Sequence, residues 1–273
     1  MSSDAISIEA LWASIQDEAR QEAVKEPFLA SYYHTIIIGH KDLASALAYL
    51  LAVKLADDVM PAVTLRELID EALEADPSIL NSVCYDLIAV RTRDAAVDNL
   101  STVLLYFKGF HALQAYRISH HLWKSGRHAM ALYIQSRVSS TFQVDIHPAA
   151  RIGCGVMFDH ATGIVIGETS VVENDVSILQ SVTLGGTGKE CGDRHPKIRE
   201  GVLIAAGAKI FGNIEVGAGA KVGGGSVVLE DVPAHTTVVG VPAKVVGRPE
   251  CDKPALDMGH QLPFRCNKDD SNE

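Results

Sequence analysis

The sequence lacks the features that mark membrane, secreted and nucleic-acid-binding proteins. No apolar run approaches the roughly 20 residues of a membrane-spanning helix, and the N-terminus has neither the basic start nor the apolar stretch of a signal peptide. The five cysteines are widely spaced and include no Cys-x-x-Cys pair, which favours free thiols in a reducing compartment. With 24 basic and 34 acidic residues the net charge is -10, which disfavours binding of nucleic acid by bulk charge. We therefore expect a cytoplasmic protein with no membrane or nucleic-acid partner.

Aromatic residues make up only 6% of the chain, whereas 47% of it is apolar, so the core is predicted to consist mainly of aliphatic and small side chains. Glycine divides the chain into two parts, because 18 of the 22 glycines lie from Gly153 to Gly247. The first 140 residues instead carry apolar residues at the spacing of one helical face, as in Leu11, Trp12 and Ile15. This pattern predicts an all-α domain of six to eight helices.

From about residue 144 an aliphatic residue recurs at every sixth position. The repeat runs through Ile146, Ile152, Phe158, Ile164, Val176 and Val182, with Ser170 as an exception, and resumes through Ile198, Ile204, Ile210, Val216, Val222 and Val228. Such hexads predict a left-handed parallel β-helix, in which three hexads form one triangular coil and each aliphatic residue points inward. The gap from Val182 to Ile198 is one hexad plus ten residues and predicts an extruded loop, a natural place for binding or catalysis.

The sequence therefore predicts an α + β protein with three segments. Residues 1–140 form the helical domain, residues 141–248 form the β-helix with its extruded loop, and residues 249–273 form a flexible, polar C-terminal tail.

Several motifs of the chain closely resemble those of the bacterial serine O-acetyltransferases, which are hexapeptide-repeat enzymes with an N-terminal helical domain. In the β-helix these motifs are Asp145-Ile-His-Pro148, Phe158-Asp-His-Ala-Thr-Gly163, Gly185-Gly-Thr-Gly188, Gly192-Asp-Arg-His-Pro-Lys197 and Gly240-Val-Pro-Ala243. In the helical part they are Arg91-Thr-Arg-Asp94 and Lys108-Gly-Phe-His-Ala-Leu-Gln-Ala-Tyr116. The resemblance spans residues 1 to about 250.

The resemblance implies transfer of an acetyl group from acetyl-CoA to the hydroxyl of L-serine. The products would be O-acetyl-L-serine and CoA, in the first step of cysteine biosynthesis, with feedback inhibition by L-cysteine. Acetyl-CoA would be a co-substrate, with no tightly bound cofactor and no metal. The resemblance also implies a homotrimer formed through the β-helix and a hexamer in which two trimers pair through their helical domains.

The resemblance assigns the acid–base chemistry to His160 and Asp145. A hydroxyl is a poor nucleophile at neutral pH, so its proton must be removed as it attacks the thioester, and histidine has a suitable pKa. Asp145 would orient the imidazole and stabilise its protonated form, as in catalytic triads. His195, on the extruded loop, is carried over as a second active-site histidine.

The same family pattern assigns the binding of serine and of inhibitory cysteine to Asp94, Asp159, Arg194 and His195. An arginine can clamp the carboxylate of an amino acid in bidentate fashion, and aspartates can hold its ammonium group. If Asp94 takes part, the site lies where the helical domain meets the β-helix.

Acetyl-CoA is expected to lie along a glycine-bearing face of the β-helix. The resemblance assigns the small residues near the thioester and pantetheine to Gly186, Ala206 and Gly224. Lys221 and Lys244 are candidates for binding the phosphates. A backbone N–H of the Gly185-Gly186 stretch is the hypothetical donor to the oxyanion.

Three alternatives remain open at this point. The fold could serve another hydroxyl acceptor such as a sugar, or a zinc hydratase in which His147, His160 and His195 form a three-histidine set. The protein could also be a non-enzymatic scaffold.

One further partner is suggested by the family. Its members commonly end in an isoleucine that inserts into the active site of O-acetylserine sulfhydrylase. This chain ends in Asp270-Ser-Asn-Glu273, which lacks that anchor and leaves this partner in doubt.

Overall fold

The computed structural model describes residues 7–188 and 191–261, in which helices come first and short strands follow. The helices are α1 Ile8–Lys25, α2 Ala30–Tyr33, α3 Leu43–Leu55, α4 Ala62–Ala75, α5 Ser78–Arg93, α6 Leu100–Tyr106, α7 Lys108–Lys124, α8 His128–Phe142 and the late α9 Pro254–Asp257. A 3-10 turn, Pro27–Leu29, precedes α2, and a π-helical turn, His34–Ile38, follows it. The helical half thus runs to Phe142, two residues past the expected limit.

The first helix illustrates how the sequence encodes this half. The Ser7 side chain accepts a backbone N–H of the first turn and so caps α1. Trp12, Ile15 and Ala19 are buried, and Leu11 packs against the same core. The prediction of one buried helical face is therefore confirmed.

The second half winds into a parallel β-helix with three faces. Face 1 contains β1 Val144–Ile146, β4 Ile164–Ile166, β7 Thr183–Gly185, β10 Lys209–Phe211 and β13 Val227–Val228. Face 2 contains β2 Arg151–Ile152, β5 Val171–Val172, β8 Lys197–Ile198 and β11 Glu215–Val216. Face 3 contains β3 Met157–Asp159, β6 Ser177–Leu179, β9 Leu203–Ile204, β12 Lys221–Val222 and β14 Thr237–Gly240, with β15 Ala243–Gly247 antiparallel at its edge. The predicted fold is confirmed.

Apart from the coil with the extruded loop, the coil that contains His160 is longer than a regular coil. Phe158 pairs with Ile178, twenty residues further along the chain, whereas Lys209 pairs with Val227, eighteen residues further. The two additional residues lie between β3 and β4, in the turn 160–163, so this corner departs from the regular repeat. The departure matters because this turn contains His160.

The predicted repeat is consequently wrong by two residues from Ile164 to Val182. The strand pairing aligns the inward positions as Ile146, Ile166 and Leu184 on face 1, rather than continuing through Ile164, Ser170, Val176 and Val182. Ser170 is an exception to the predicted repeat because it lies four positions after the inward-facing Ile166, at a second buried position of the hexad, which we call the compact position. Between Leu184 and Ile198 the extruded loop therefore adds eight residues to one hexad, not ten.

The first part of the predicted tail packs against the protein. Helix α9 contacts α5 and β9, and Ala255 is buried. The Ala255 carbonyl accepts a hydrogen bond from Ser177 Oγ at 2.9 Å, and Lys253 Nζ lies 3.0 Å from Asp175 Oδ2. The folded part of the chain extends at least to Gln261, and the terminal Asp270–Glu273 sequence lies outside the described residues.

Within residues 7–188 and 191–261, no single helix is long and apolar enough to cross a membrane. The segments Pro27–Ile38 and Leu43–Leu55 meet the length and composition criteria only together, and they are bent by 118° relative to each other. Most side chains of Leu43–Leu55 are buried in the helical core.

A buried charged network joins the helices to the β-helix. Arg117 Nη2 on α7 lies 2.7 Å from Asp86 Oδ2 on α5, and Asp86 is fully buried. Asp86 Oδ1 also accepts the Val156 N–H at 3.0 Å, and Arg117 Nη2 donates to the Gly153 carbonyl at 2.7 Å. Because both charged groups have partners on the β-helix, the network fixes α5 and α7 against the first coil.

Candidate active site

His160 lies at an edge of the prism, in the turn 160–163 that joins face 3 to face 1. We call this edge, together with the turns 180–182, 205–208 and 223–226 that stack on it, the His160 edge. His160 and Ala161 have φ angles of 54° and 62°, in the left-handed region that non-glycine residues rarely adopt. The His160 side chain is 74% exposed. The two additional residues of this coil thus form a strained turn that projects an imidazole into solvent.

Two aspartates accompany His160. Asp159 Oδ1 lies 3.8 Å from His160 Nε2. Burial raises the pKa of Asp159, the nearby His160 opposes this shift, and the negative charge of Asp94 adds to it. The structure therefore brings Asp94, Asp159 and His160 together where α5 meets the β-helix, as expected from the sequence.

The neighbouring Arg93 fixes the position of Asp94. Its side chain is almost completely buried, and Nη1 donates to Ser177 Oγ at 3.1 Å on β6. Nη2 lies 3.4 Å from Asp175 Oδ1. Since the chain continues directly from Arg93 to Asp94, the end of α5 is tied to face 3 beside Asp159.

The extruded loop folds back over a different edge of the prism. We call this the loop edge; it joins face 1 to face 2 through the turns 147–150 and 167–170 and the described parts of the loop, 186–188 and 191–196. The backbone N–H groups of Arg194 and His195 donate to Thr169 Oγ1 at 3.0 and 3.1 Å. Arg194 Nη2 lies 2.6 Å from Glu168 Oε2, which lowers the pKa of Glu168. A side chain at Gly167 would overlap the His195 ring, so the glycine permits this close approach.

The hydrogen bonds of His195 define its chemical role. Its Nδ1 accepts the Thr169 N–H at 3.2 Å. Burial lowers the pKa of His195, and the positive charge of Arg194 lowers it further. The ring is therefore favoured in its neutral form with the proton on Nε2, so that it can donate a hydrogen bond to a substrate oxygen.

Asp145 lies in β1 on face 1, and its neighbours are α8 and the loop edge. It accepts a hydrogen bond from Gln135 Nε2 of α8 at 2.7 Å. Burial lowers the pKa of the adjacent His147, and the charges of Glu168 and Asp145 oppose this shift. In the described part of one chain, the carboxylate within 4.0 Å of His160 is that of Asp159, and Asp145 is farther away. The pairing of Asp145 with His160 is thus not formed within one chain and stays a prediction.

The three histidines of the zinc alternative are distributed over two edges. His147 and His195 lie on the loop edge, whereas His160 lies on the His160 edge. Across the two described ranges, no three histidine, cysteine or carboxylate side chains are grouped as metal ligands. Within one chain these histidines therefore do not form a metal-binding set.

The candidate acetyl-CoA residues are also divided between the two edges. Ala206 and Gly224 stack on the His160 edge, where Gly225 N–H donates to the Ala206 carbonyl at 2.9 Å. Gly186 begins the extruded loop, and a Cβ at this position would lie 3.6 Å from the Arg194 side chain. The glycines leave the backbone of both edges accessible to a ligand.

The two candidate lysines differ in accessibility. Lys221 is only 5% exposed, and its Nζ donates to the Gln261 carbonyl, so the docked segment after residue 249 covers it. Burial also lowers the pKa of Lys221. Lys244 is exposed, with Nζ 4.0 Å from Glu230 Oε2. Of the two, Lys244 is the one available to a phosphate in this arrangement.

Sequence reasoning missed three side chains that contact the candidate site residues or the His160 turn. Glu168 and Thr169 hold Arg194 and His195, and they directly precede Ser170, whose irregularity in the hexad pattern was the available signal. Lys108 Nζ donates to Thr162 Oγ1 in the His160 turn. Lys108 lies in a motif that the family resemblance marks, but the sequence assigns it no role.

Comparisons with known proteins agree with these features. A family model described as "Serine acetyltransferase, N-terminal" matches residues 11–115. The serine acetyltransferase of Escherichia coli strain K12 is 64% identical over 251 residues, covering 92% of each chain. A crystal structure of serine acetyltransferase from Vibrio cholerae O1 biovar El Tor superposes with a TM-score of 0.93 at 62% identity, covering 94% of this chain and 99% of the other.

Two further solved structures contain ligands. A serine acetyltransferase in complex with cysteine has a TM-score of 0.92 and 58% identity, covering 94% of this chain and all of the other. A serine acetyltransferase from Brucella abortus strain S19 in complex with coenzyme A has a TM-score of 0.88 and 48% identity, covering 92% of this chain and all of the other. The identity and coverage are high along nearly the whole chain, and the chain belongs to the serine acetyltransferase family.

Proposed function

We propose that the protein transfers the acetyl group of acetyl-CoA to the hydroxyl of L-serine, giving O-acetyl-L-serine and CoA in the first step of cysteine biosynthesis. The observation that carries this proposal is the strained turn that projects His160 beside the carboxylates of Asp159 and Asp94. Acetyl-CoA acts as a co-substrate, and L-cysteine acts as a feedback inhibitor in the serine site. The named relatives and the coenzyme A and cysteine complexes support this assignment.

The mechanism requires a base, a site for the amino acid and donors for the thioester. Asp94 and Asp159 hold the ammonium group of serine, which directs its hydroxyl toward His160. His160 removes the hydroxyl proton as the oxygen attacks the thioester carbon. The C–O bond forms, the C–S bond breaks, and the proton passes from His160 to the sulfur of CoA. No covalent acetyl-enzyme is needed.

The loop-edge residues complement this chemistry. Arg194 binds the serine carboxylate by exchanging its contact with Glu168 for one with the substrate. The neutral His195 donates its Nε2 proton to an oxygen of the reacting groups, and a backbone N–H near Gly186 stabilises the oxyanion. Asp145 orients the imidazole of His160 and stabilises its protonated form.

These groups lie on two edges of one prism, so we propose that each active site forms between neighbouring subunits of a trimer. A threefold interface is heterologous, which means that different patches of two subunits meet. The His160 edge of one subunit would then face the loop edge of the next and bring Asp145, Arg194 and His195 to His160. Acetyl-CoA would lie between them, along Ala206 and Gly224 of one subunit and Gly186 of the other.

The exposed apolar surface of the helical half supports a hexamer formed by two such trimers. Phe28 is 98% exposed, and Val24 and Leu29 beside it are also exposed. Clustered apolar side chains of this kind are typical of protein–protein contacts. We therefore propose that residues 1–140 pair the trimers in addition to contributing Asp94.

The compartment is proposed from the cysteines and the substrate. Cys84, Cys154, Cys191 and Cys251 are free thiols. Free thiols are typical of reducing compartments. We propose that the reaction takes place in the cytoplasm.

The acceptor specificity can be tested by thiol release. With acetyl-CoA and L-serine, we expect turnover that produces equal amounts of CoA and O-acetyl-L-serine, because Asp94, Asp159 and Arg194 are matched to an amino acid. Sugars and alcohols without ammonium and carboxylate groups are expected to give no release above hydrolysis. The measurement is thiol titration together with mass spectrometry of the products. Release with sugars but none with L-serine would contradict the proposal.

The shared active site can be tested by complementation between inactive variants. His160→Ala and His195→Ala are each expected to be inactive or nearly so as homotrimers. Co-expressed in equal amounts, they are expected to recover about a quarter of wild-type activity, because about three quarters of the trimers are mixed and each mixed trimer contains one intact site. The measurement is activity per subunit of the co-purified trimers.

The control for this experiment is a double variant that carries both substitutions on one chain. Co-expressed with wild type, this double variant leaves one intact site in each trimer that contains two wild-type subunits and none in a trimer that contains one. If mixtures of the single variants stay as inactive as each variant alone, although mixed trimers are isolated by two affinity tags, both histidines act within one chain and the shared site is excluded.

A further inference from the structure

The His160 turn needs external support because its backbone is strained. Two consecutive non-glycine residues, His160 and Ala161, adopt left-handed conformations, and such conformations persist only where the surrounding structure holds them. On the β-helix side, the Gly163 N–H donates to the Gln143 carbonyl at 2.7 Å, and the Ser181 N–H donates to the Thr162 carbonyl at 2.8 Å. These bonds fix the end of the turn, but they leave the side-chain hydroxyl of Thr162 for another partner.

That partner comes from the helical domain. Lys108 is the first residue of α7, and its Nζ donates to Thr162 Oγ1. The next residue, Gly109, packs so closely that a Cβ at this position would lie 2.1 Å from the Phe158 carbonyl oxygen and 3.0 Å from the Ala161 Cβ. The beginning of α7 therefore contacts the residues on both sides of His160.

Helix α7 is well suited to hold this turn because it is itself fixed on the β-helix. Tyr116 Oη donates to the Ala150 carbonyl, and Arg117 forms the buried pair with Asp86. Both contacts lie more than two helical turns from Lys108. Because these contacts hold α7 against the β-helix, the backbone of Lys108 has a fixed position relative to the His160 turn.

We infer that Lys108 is a positioning residue for the general base: at the beginning of the anchored helix α7, it holds the left-handed turn through Thr162 and thereby sets the place of the His160 imidazole. This inference rests on the proposed function, because it assumes that His160 removes the serine proton. It gives a role to the motif Lys108–Tyr116, which the mechanism above does not use.

The position of a base affects the chemical step more than it affects substrate binding. A displacement of about 1 Å can cost about a hundredfold in rate. Serine and acetyl-CoA are held by other groups, namely Asp94, Asp159 and Arg194 for serine. Loss of the contact between Lys108 and Thr162 is therefore expected to lower kcat while leaving both KM values nearly unchanged.

The experiment compares steady-state kinetics of the full-length enzyme and five variants with L-serine and acetyl-CoA. Lys108→Met is expected to lower kcat by about ten- to a hundredfold, with both KM values within about twofold of wild type. Lys108→Arg, which retains a donor for Thr162 Oγ1, is expected to recover most of this loss. Thr162→Val, which removes the hydroxyl and keeps the shape, is expected to match Lys108→Met. The matched control is Lys124→Met at the opposite, exposed end of α7, which is expected to leave kcat unchanged.

The double variant Lys108→Met/Thr162→Val tests whether the two residues act through one contact. If they do, its kcat falls no further than that of either single variant, because the effects of contacting residues are not additive. Thermal unfolding and size-exclusion chromatography of each variant are expected to match wild type. If Lys108→Met does not fold, the loss of kcat in Thr162→Val still tests the contact between the two residues.

Several outcomes would overturn the inference. An unchanged kcat in Lys108→Met or Thr162→Val would show that the contact does not position His160. A raised KM for serine with an unchanged kcat would make Lys108 a binding residue, and additive losses in the double variant would mean independent effects. Failure of the wild-type enzyme to acetylate L-serine would instead contradict the proposed function, and the inference with it, so the two failures are distinguishable.

Discussion

His160→Ala is expected to lower kcat by about 10²–10⁴-fold, the contribution usually made by a positioned general base. The serine hydroxyl would have to lose its proton to water while it attacks the thioester. The KM for L-serine is expected to change far less, because the ammonium group is still held by Asp94 and Asp159. The measurement is steady-state thiol release with both substrates varied. The imidazole is 74% exposed, so its removal leaves no buried cavity and the variant is expected to fold.

His235→Ala is a matched control for this variant. His235 is also exposed in the β-helix and also has a left-handed backbone, with a φ of 52°. It lies between β13 and β14, where the chain passes from Val232, which pairs with Val216 of face 2, into face 3, and so it is away from both candidate edges. A loss that followed from substituting any exposed histidine in a strained turn would appear in both variants. If His160→Ala retained a kcat within about threefold of wild type, general base catalysis by His160 would be excluded.

The hexad pattern predicted the β-helix because each of the three faces of a coil is formed by one hexad and places one aliphatic side chain in the interior. The same pattern could not locate the two-residue insertion. Ile164 and Ile166 are both buried, since the compact position of a hexad also accepts an aliphatic residue. Periodicity therefore continued undisturbed through the turn that contains His160. Only the strand pairing reveals that the repeat shifts there.

The family resemblance named the candidate site residues, but it did not indicate that they are divided between two edges of the β-helix. The sequence indicated His160, Asp94 and Asp159 as neighbours, and the structure brings them together. It could not reveal that Arg194 and His195 lie on another edge, because the edge on which a residue lies depends on the number of residues added to each coil. Likewise, no pattern in the polar segment after residue 249 predicted that it would pack over Lys221.

Asp86→Asn is expected to lower the free energy of unfolding by about 3–5 kcal/mol, because it leaves the positive charge of Arg117 buried without its partner. The Asp86 carboxylate is fully buried and lies 2.7 Å from Arg117 Nη2. Asparagine keeps the shape of the side chain, so the loss reports mainly on the charge. The measurement is urea unfolding, with the midpoint compared at equal protein concentration because an oligomer is being unfolded.

A surface pair of the same type provides the control. Arg127 Nη1 lies 3.1 Å from Glu71 Oε2, but both side chains are exposed, so Glu71→Gln is expected to cost less than about 1 kcal/mol. The double variant Asp86→Asn/Arg117→Met removes both buried charges and is expected to recover a large part of the loss, since a buried pair itself contributes little net stability. If Asp86→Asn lowered the free energy of unfolding as little as Glu71→Gln, water would have to reach the Arg117 side chain. The junction between α5, α7 and the β-helix would then be more open than the structure indicates, and the anchoring of α7 on which the position of Lys108 depends would be weaker.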